Sequence, residues 1–260
     1  MSEIKSIETK GKIYCCTDLH GQYGLWAKIR DYMQPEDTLF FLGDAIDRGP
    51  AGLKIMIELF KDKRVIYLPG NHEDSFWDMI KYLMSDLRNW RENAEDFSLW
   101  MYNGGYDTLM EWVELPREDK EFIYKELHTL VTEDPDHYIF QRKDGKKVFL
   151  SHAGTSIEKS EQDLRLLACG QRPYLWDRRH YKHPWPKQKQ WEDWMVIHGH
   201  TPVQLLNLQV KEGDPEICVY DDGHKVDLDL GSFSTDKIAL YDLETDEVIY
   251  FYDKQPDLVP

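Results

Sequence analysis

The segments KIYCCTDLHG (residues 12–21), TLFFLGDAIDRG (38–49) and RVIYLPGNHE (64–73) decide the fold of this chain. Each is a short β-branched and aromatic run that stops at glycine and at residues suited to bind metal: Asp18 and His20, then Asp44, then Asn71. Between them, residues 23–33 and 53–60 carry the apolar spacing of helices. Strand, helix, strand, helix, strand predicts a parallel sheet with crossover helices. Ligands of such sheets gather beyond the carboxyl ends of the strands, where Asp18, Asp44 and Asn71 all fall.

Two later segments end in the same way, SHAG (151–154) with His152 and HGHTP (198–202) with His198 and His200. Carboxylates, imidazoles and an asparagine oxygen form a mixed nitrogen and oxygen set, suited to Mn, Fe or Zn rather than to calcium. Even with only one of His198 and His200 counted, six such residues exceed one tetrahedral site. Two ions sharing Asp44 is the economical arrangement.

Residues 74–131 turn helical, with Trp77, Trp90, Trp100 and Trp112 and a break at Gly104 and Gly105, and read as a helical insertion whose aromatics pack. Pro116 followed by Glu118 and Asp119 starts a helix there. Asp144-Gly145 between two β-rich runs predicts a hairpin, and further strands are expected at 194–197, 217–220, 226–230, 237–240 and 248–252. With no repeat and no low-complexity linker, one domain over residues 1–260 is expected, an α/β sandwich of two sheets flanked by helices.

Forty-one per cent apolar residues can supply that core. No apolar run approaches the roughly 18 residues that cross a bilayer, and Met1 to Lys5 lack the apolar stretch of a secretion signal, so a soluble, cytoplasmic protein is expected. Cys15, Cys16, Cys169 and Cys218 show no CxxC spacing and read as reduced thiols. A net charge of −16 opposes binding to nucleic acid or to anionic membranes. Between Asp86 and Asp136 stand fourteen carboxylates and five Lys or Arg, a stretch not expected to meet phosphate. Residues 178–191 interleave basic and aromatic side chains, which reads as a cationic rim or ordinary loop.

Taken in order, these motifs resemble the PPP family of metallophosphatases, within the calcineurin-like phosphoesterases. The family pattern GDxHG, GDxxDRG, GNHE, HG and a later His covers about residues 12–202. The resemblance implies an αββα sandwich with a dinuclear centre of two divalent ions. Asp18, His20 and Asp44 would hold the first ion, and Asp44, Asn71, His152 and His200 the second. Thr17 stands where the pattern has Gly, a position that shapes the turn. Pro202 stands where the wider superfamily carries a further His, which selects His200 rather than His198 as the ligand.

The resemblance also implies the chemistry. Two ions about 3.5 to 4 Å apart acidify a bridging water and clamp the phosphoryl oxygens for direct attack. His72 would protonate the leaving alkoxide, with Asp47 holding its imidazole. Arg48 offers a guanidinium fork to phosphate. The segment LWDR (175–178) nominates Arg178 as a second phosphate arginine, with Arg179 beside it as the alternative.

Other enzyme signatures are missing from the sequence: His72-Glu73 lacks a second His at the zinc-protease spacing, and there is no GxSxG motif or P-loop. The full DRG and NHE forms resemble Ser/Thr protein phosphatases, so a phosphoprotein is the leading substrate and a dinucleoside tetraphosphate or other small phosphate ester the second. No SAPNY-like segment of the eukaryotic enzymes is present. A metal-binding regulator without turnover is a third class, opposed by the intact His72, Asp47 and Arg48.

Overall fold

The computed structural model describes residues 9–84, 94–155, 172–178, 180–206 and 214–253. It contains two five-stranded sheets. The first has the order β10-β9-β1-β2-β3, from β1 (Ile13–Cys16), β2 (Thr38–Phe41), β3 (Val65–Tyr67), β9 (Lys237–Asp242) and β10 (Val248–Tyr252). The second has the order β4-β5-β6-β8-β7, from β4 (His137–Gln141), β5 (Lys147–Ser151), β6 (Trp194–His198), β7 (Cys218–Tyr220) and β8 (Lys225–Asp227). Strands β1, β2 and β3 are parallel in one sheet and β5, β6 and β8 in the other. Both sheets are therefore mixed, with antiparallel strands at their margins.

The central strands read as nearly continuous apolar runs because both their faces are covered. Alternate residues divide between two layers. Ile13, Cys15, Phe40 and Leu42 meet Val148, Leu150, Met195 and Ile197 between the sheets. Tyr14, Cys16, Leu39 and Phe41 face outward onto α1 (Tyr23–Tyr32) and α2 (Gly52–Lys61), through Leu25, Trp26, Ile29, Leu53 and Met56. On the outer side of the second sheet, Phe149 and Val196 pack with Trp185 and Trp191. Two aromatic residues of that basic loop, Trp185 and Trp191, are thus committed to packing.

The last hairpin, β9 and β10, returns to the first sheet although it follows the second in sequence. Apolar runs reveal strands, but the pairing of Tyr14 with Asp242 is long-range and leaves no local sign. At Asp144-Gly145 the loop is wider than a two-residue turn, with Arg142 N–H donating to Lys146 O and Gly145 at φ 94°.

The helical region comprises α3 (Asn71–Leu83), α4 (Ala94–Trp100), α5 (Tyr106–Glu114) and α6 (Arg117–Thr132). Trp77, Trp100 and Trp112 join the outer core layer; Trp90 lies outside the described residues. The predicted break falls at Gly104, whose φ of 108° bends the chain between α4 and α5. Pro116 precedes the first residue of α6. Cys15, Cys16 and Cys218 are free thiols, and Cys169 lies outside the described residues. Among the described residues no helix is long and apolar enough to cross a membrane.

Candidate active site

Every residue expected as a metal ligand stands just past a strand. Asp18 and His20 follow β1, Asp44 to Arg48 follow β2, Asn71 and His72 open α3 after β3, and His152 and His200 follow β5 and β6. The loops are tied to one another by backbone bonds: Asp18 N–H to Gly43 O at 3.0 Å, His20 N–H to Asp44 O at 2.9 Å and Gly199 N–H to His152 O at 2.8 Å. The last of these joins strands of one sheet; His200 N–H donating to Asp18 Oδ2 at 3.1 Å joins the two sheets. Two glycines make the approach possible. A Cβ on Gly199 would lie 2.2 Å from Asp18 Oδ2, and one on Gly70 would lie 2.1 Å from Asp44 Oδ1.

Six of these residues have left-handed backbones: Asp18, His20, Asp44, Asp47, Arg48 and His200. Asp and His are enriched in that region, whereas an arginine there is unusual.

The side chains converge in two overlapping groups. Ligand atoms of His20, Asp44 and His72 lie within 4.8 Å of one another, and so do those of Asp44, His152 and His200. Asp44 is common to both. Asp18 Oδ1 is 3.7 Å from His20 Nε2, and Asn71 Oδ1 is 2.9 Å from His152 Nε2 and 2.7 Å from His200 Nδ1. All six residues predicted as ligands are buried. His198 points elsewhere: its Nε2 is 2.8 Å from the Tyr220 hydroxyl and 3.1 Å from His180 Nε2.

Burial drives the electrostatics. It pushes the Asp18 carboxyl up, helped by Asp44 and opposed by His152. It would also raise Asp44, but His152 and His72 reverse the direction and hold that carboxyl well below its usual range. Burial pulls His20 and His200 well below the usual histidine value, so both imidazoles are neutral, as metal ligands must be. Burial would lower His152 as well, but Asp44 outweighs it and pushes that imidazole up to about 9. Buried carboxylates, imidazoles and an amide oxygen form a donor set that suits divalent cations.

His72 is held apart by its partners. Its Nδ1 lies 2.6 Å from Asp47 Oδ2. Burial alone would lower its pKa, yet Asp44 and Asp47 raise it. Asp47 is fully buried and accepts two further bonds, from Trp100 Nε1 at 3.0 Å and from the Thr108 hydroxyl at 2.6 Å. Both donors come from the helical region, which thus does more than pack. Arg48 Nη1 is 2.7 Å from His20 Nε2 and Nη2 is 3.0 Å from His72 Nε2; its guanidinium lies 4.8 Å from the Phe233 ring on α8 (Ser232–Thr235). Arg178 Nε donates to His200 Nε2 at 3.0 Å. Arg179 lies outside the described residues.

Glu73 organises the loops behind the ligands. Its Oε2 accepts from Asp44 N and Gly70 N, both at 2.8 Å, and its Oε1 from Ala45 N and the Tyr67 hydroxyl, both at 2.9 Å. Burial and Asp44 push its carboxyl up, and the three amides pull it down. Thr17, in the place of the pattern's glycine, donates to Asp18 Oδ2 at 2.6 Å. Motif spacing pointed to neither role, nor to Trp100, Thr108 or Phe233. For Glu73 and Thr17 the signal was their place inside the motifs; for the other three there was none.

Residues 11–231 match the model of the calcineurin-like phosphoesterases, and the chain belongs to that family of metal-dependent enzymes. Among curated proteins it is similar to the asymmetrical bis(5'-nucleosyl)-tetraphosphatase PrpE of Anoxybacillus flavithermus, 28% identical over 211 residues, 72% of this chain and 77% of that one. Among solved structures it resembles a protein serine/threonine phosphatase of Saccharomyces cerevisiae, with TM-score 0.54, 13% identity and 98% and 85% of the two chains covered. It also resembles a cold-active protein-tyrosine phosphatase of a Shewanella species, with TM-score 0.56, 16% identity and coverages of 97% and 80%. At such identities the structural likeness concerns the fold: two mixed sheets flanked by helices.

Proposed function

We propose that this chain is a single metallophosphoesterase domain of the PPP type that hydrolyses phosphomonoesters, acting on phosphoserine or phosphothreonine in proteins. Asp18, His20 and Asp44 hold one divalent ion, and Asp44, Asn71, His152 and His200 the other, with Mn favoured and Fe or Zn compatible with the donors. The ions supply an acidified water and charge neutralisation at the phosphoryl group. Arg48 and Arg178 flank the ligands, where each can offer a guanidinium to phosphate oxygens.

The observation that carries the choice of ester is the support given to His72. An alkoxide is a poor leaving group and must be protonated as it departs, whereas a nucleotide phosphate leaves as a stable anion. Asp47 is fixed by Trp100 and Thr108 while its other contact holds the His72 imidazole. That is an investment in proton delivery. Adjacent buried free thiols at Cys15 and Cys16 suit a reducing, cytoplasmic compartment.

The second reading, hydrolysis of bis(5'-nucleosyl) tetraphosphates, is favoured by the similarity to PrpE over most of the chain. Turnover of a phosphoserine peptide, diadenosine tetraphosphate and p-nitrophenyl phosphate by the Mn-loaded protein separates the two. The phosphopeptide is expected to be the best physiological-type substrate. His72→Asn should cost roughly 100-fold with the peptide and far less with p-nitrophenyl phosphate, whose leaving group needs no proton. Preference for the tetraphosphate, or equal losses on both esters, overturns the proposal. No hydrolysis by protein carrying both ions would sink the enzymatic reading altogether.

A further inference from the structure

Helix α5 spends its large side chains on two faces. Thr108 and Trp112 are buried, while Tyr106, Met110 and Val113, at i, i+4 and i+7, are 57%, 43% and 63% exposed. Tyr102, just before the Gly104 bend, is 88% exposed. Single exposed apolar residues are ordinary, but a row of them along one helix face marks a surface for contact.

The segment's own charge is one-sided, although Lys120 Nζ of α6 reaches the Val113 carbonyl at its far end, at 3.1 Å. From Ala94 to Glu114 there are five carboxylates and no Lys or Arg. Glu111 turns inward and accepts from the Leu53 and Lys54 amides, which fastens α5 to α2. Glu95, Asp96 and Glu114 are exposed. The same segment touches the catalytic pair: Gly104 O accepts from Arg48 N–H at 2.9 Å, and Trp100 and Thr108 hold Asp47. A chain lying along α5 therefore ends beside the arginine that would read its phosphate.

We infer that the Tyr102, Tyr106, Met110 and Val113 face docks a substrate segment in which Lys or Arg alternate with large apolar residues near the phosphorylated side chain. Charge complementarity selects this occupant. A polyanionic nucleotide is repelled by the exposed Glu95, Asp96 and Glu114, and a second copy brings a net charge of −16 to the same acidic segment. The inference deepens the phosphoprotein reading and rests on it.

The test compares two phosphoserine peptides, one with basic and apolar flanks and one with acidic and polar flanks, alongside p-nitrophenyl phosphate. The Mn-loaded protein should favour the basic peptide, chiefly through KM. The variant Tyr106→Ser/Met110→Ser/Val113→Ser should lose roughly tenfold of that preference, equivalent to about 1.4 kcal/mol, and keep its rate on p-nitrophenyl phosphate. No preference in the parent protein, or an unchanged one in the variant, overturns the docking surface. A parallel fall on p-nitrophenyl phosphate also overturns it, since the residues would then serve only to support Asp47. Fluorescence anisotropy with the unphosphorylated basic peptide keeps the two readings apart. Binding that the triple variant loses, without turnover of either phosphopeptide, upholds the surface and refutes the phosphoprotein activity. Self-association that the same variant abolishes would assign the face to a second copy and refute the inference.

Discussion

Replacing Glu73 with Gln removes one charge and leaves the shape of the side chain nearly unchanged, yet four donors now meet an amide that has one oxygen. The better orientation turns that oxygen to Asp44 N and Gly70 N and the amide nitrogen to Ala45 N and Tyr67 Oη. Tyr67 can rotate its hydroxyl and accept. Ala45 N–H cannot, and a buried donor without a partner costs about 1 to 3 kcal/mol. The two bonds that remain on the oxygen change from charged to neutral, which costs roughly 1 kcal/mol each. Relief from burying a carboxylate offsets part of this, so the net loss should be about 2 to 4 kcal/mol. Urea unfolding of the chelated protein measures it, and metal analysis should show weaker binding because Asp44 and Asn71 lose their common brace. Stability within about 0.5 kcal/mol of the parent, with metal content unchanged, would refute the view that this carboxylate organises the two loops.

Asp44→Asn should weaken both ions together in metal titrations, because both ligand groups contain Asp44; loss of one ion alone would contradict the shared assignment. Trp100→Phe removes a donor to Asp47 from a buried ring. It should lower turnover of alkyl phosphates by roughly tenfold, at about 1.4 kcal/mol per decade, with a smaller effect on p-nitrophenyl phosphate. Arg142 donates to Asp246 Oδ1 at 2.6 Å, as does the Tyr241 hydroxyl, and together they outweigh burial and hold the Asp246 carboxyl below its usual value. A depressed folded pKa means that stability is present above the unfolded value of about 3.9 and is lost as pH falls through the folded value. With the carboxylate 47% exposed, Asp246→Asn should cost only about 1 kcal/mol at neutral pH and flatten this part of the acid limb of the stability profile, read by chemical denaturation at pH 7 and below pH 4.

The first three strands and both crossover helices were legible within a residue or two, since glycine-bounded apolar runs mark strands buried on both faces. The positions of Asp18, Asp44 and Asn71 at strand ends followed from that topology. Less was readable where partners are distant in sequence. Asp47 and Thr108 are sixty-one residues apart, and nothing local distinguishes Thr108 or Trp100 from packing residues. The placement of β9 beside β1 depends on long-range pairing in the same way. Acidity from Asp86 to Asp136 argued against phosphate contact and hid the support that two residues of that stretch give to the candidate acid.

The left-handed backbone at Arg48 (φ 66°) carries a cost that evolution could have avoided with glycine at no loss of the Gly104 bond. Such conformations cost of order 1 to 3 kcal/mol each. The site is therefore a place where the fold trades endurance for chemistry. Arg48→Gly is the substitution in which an inactivated enzyme should outlast its parent on heating, and a search for thermostable forms that does not also select for turnover will drift toward erasing this residue first.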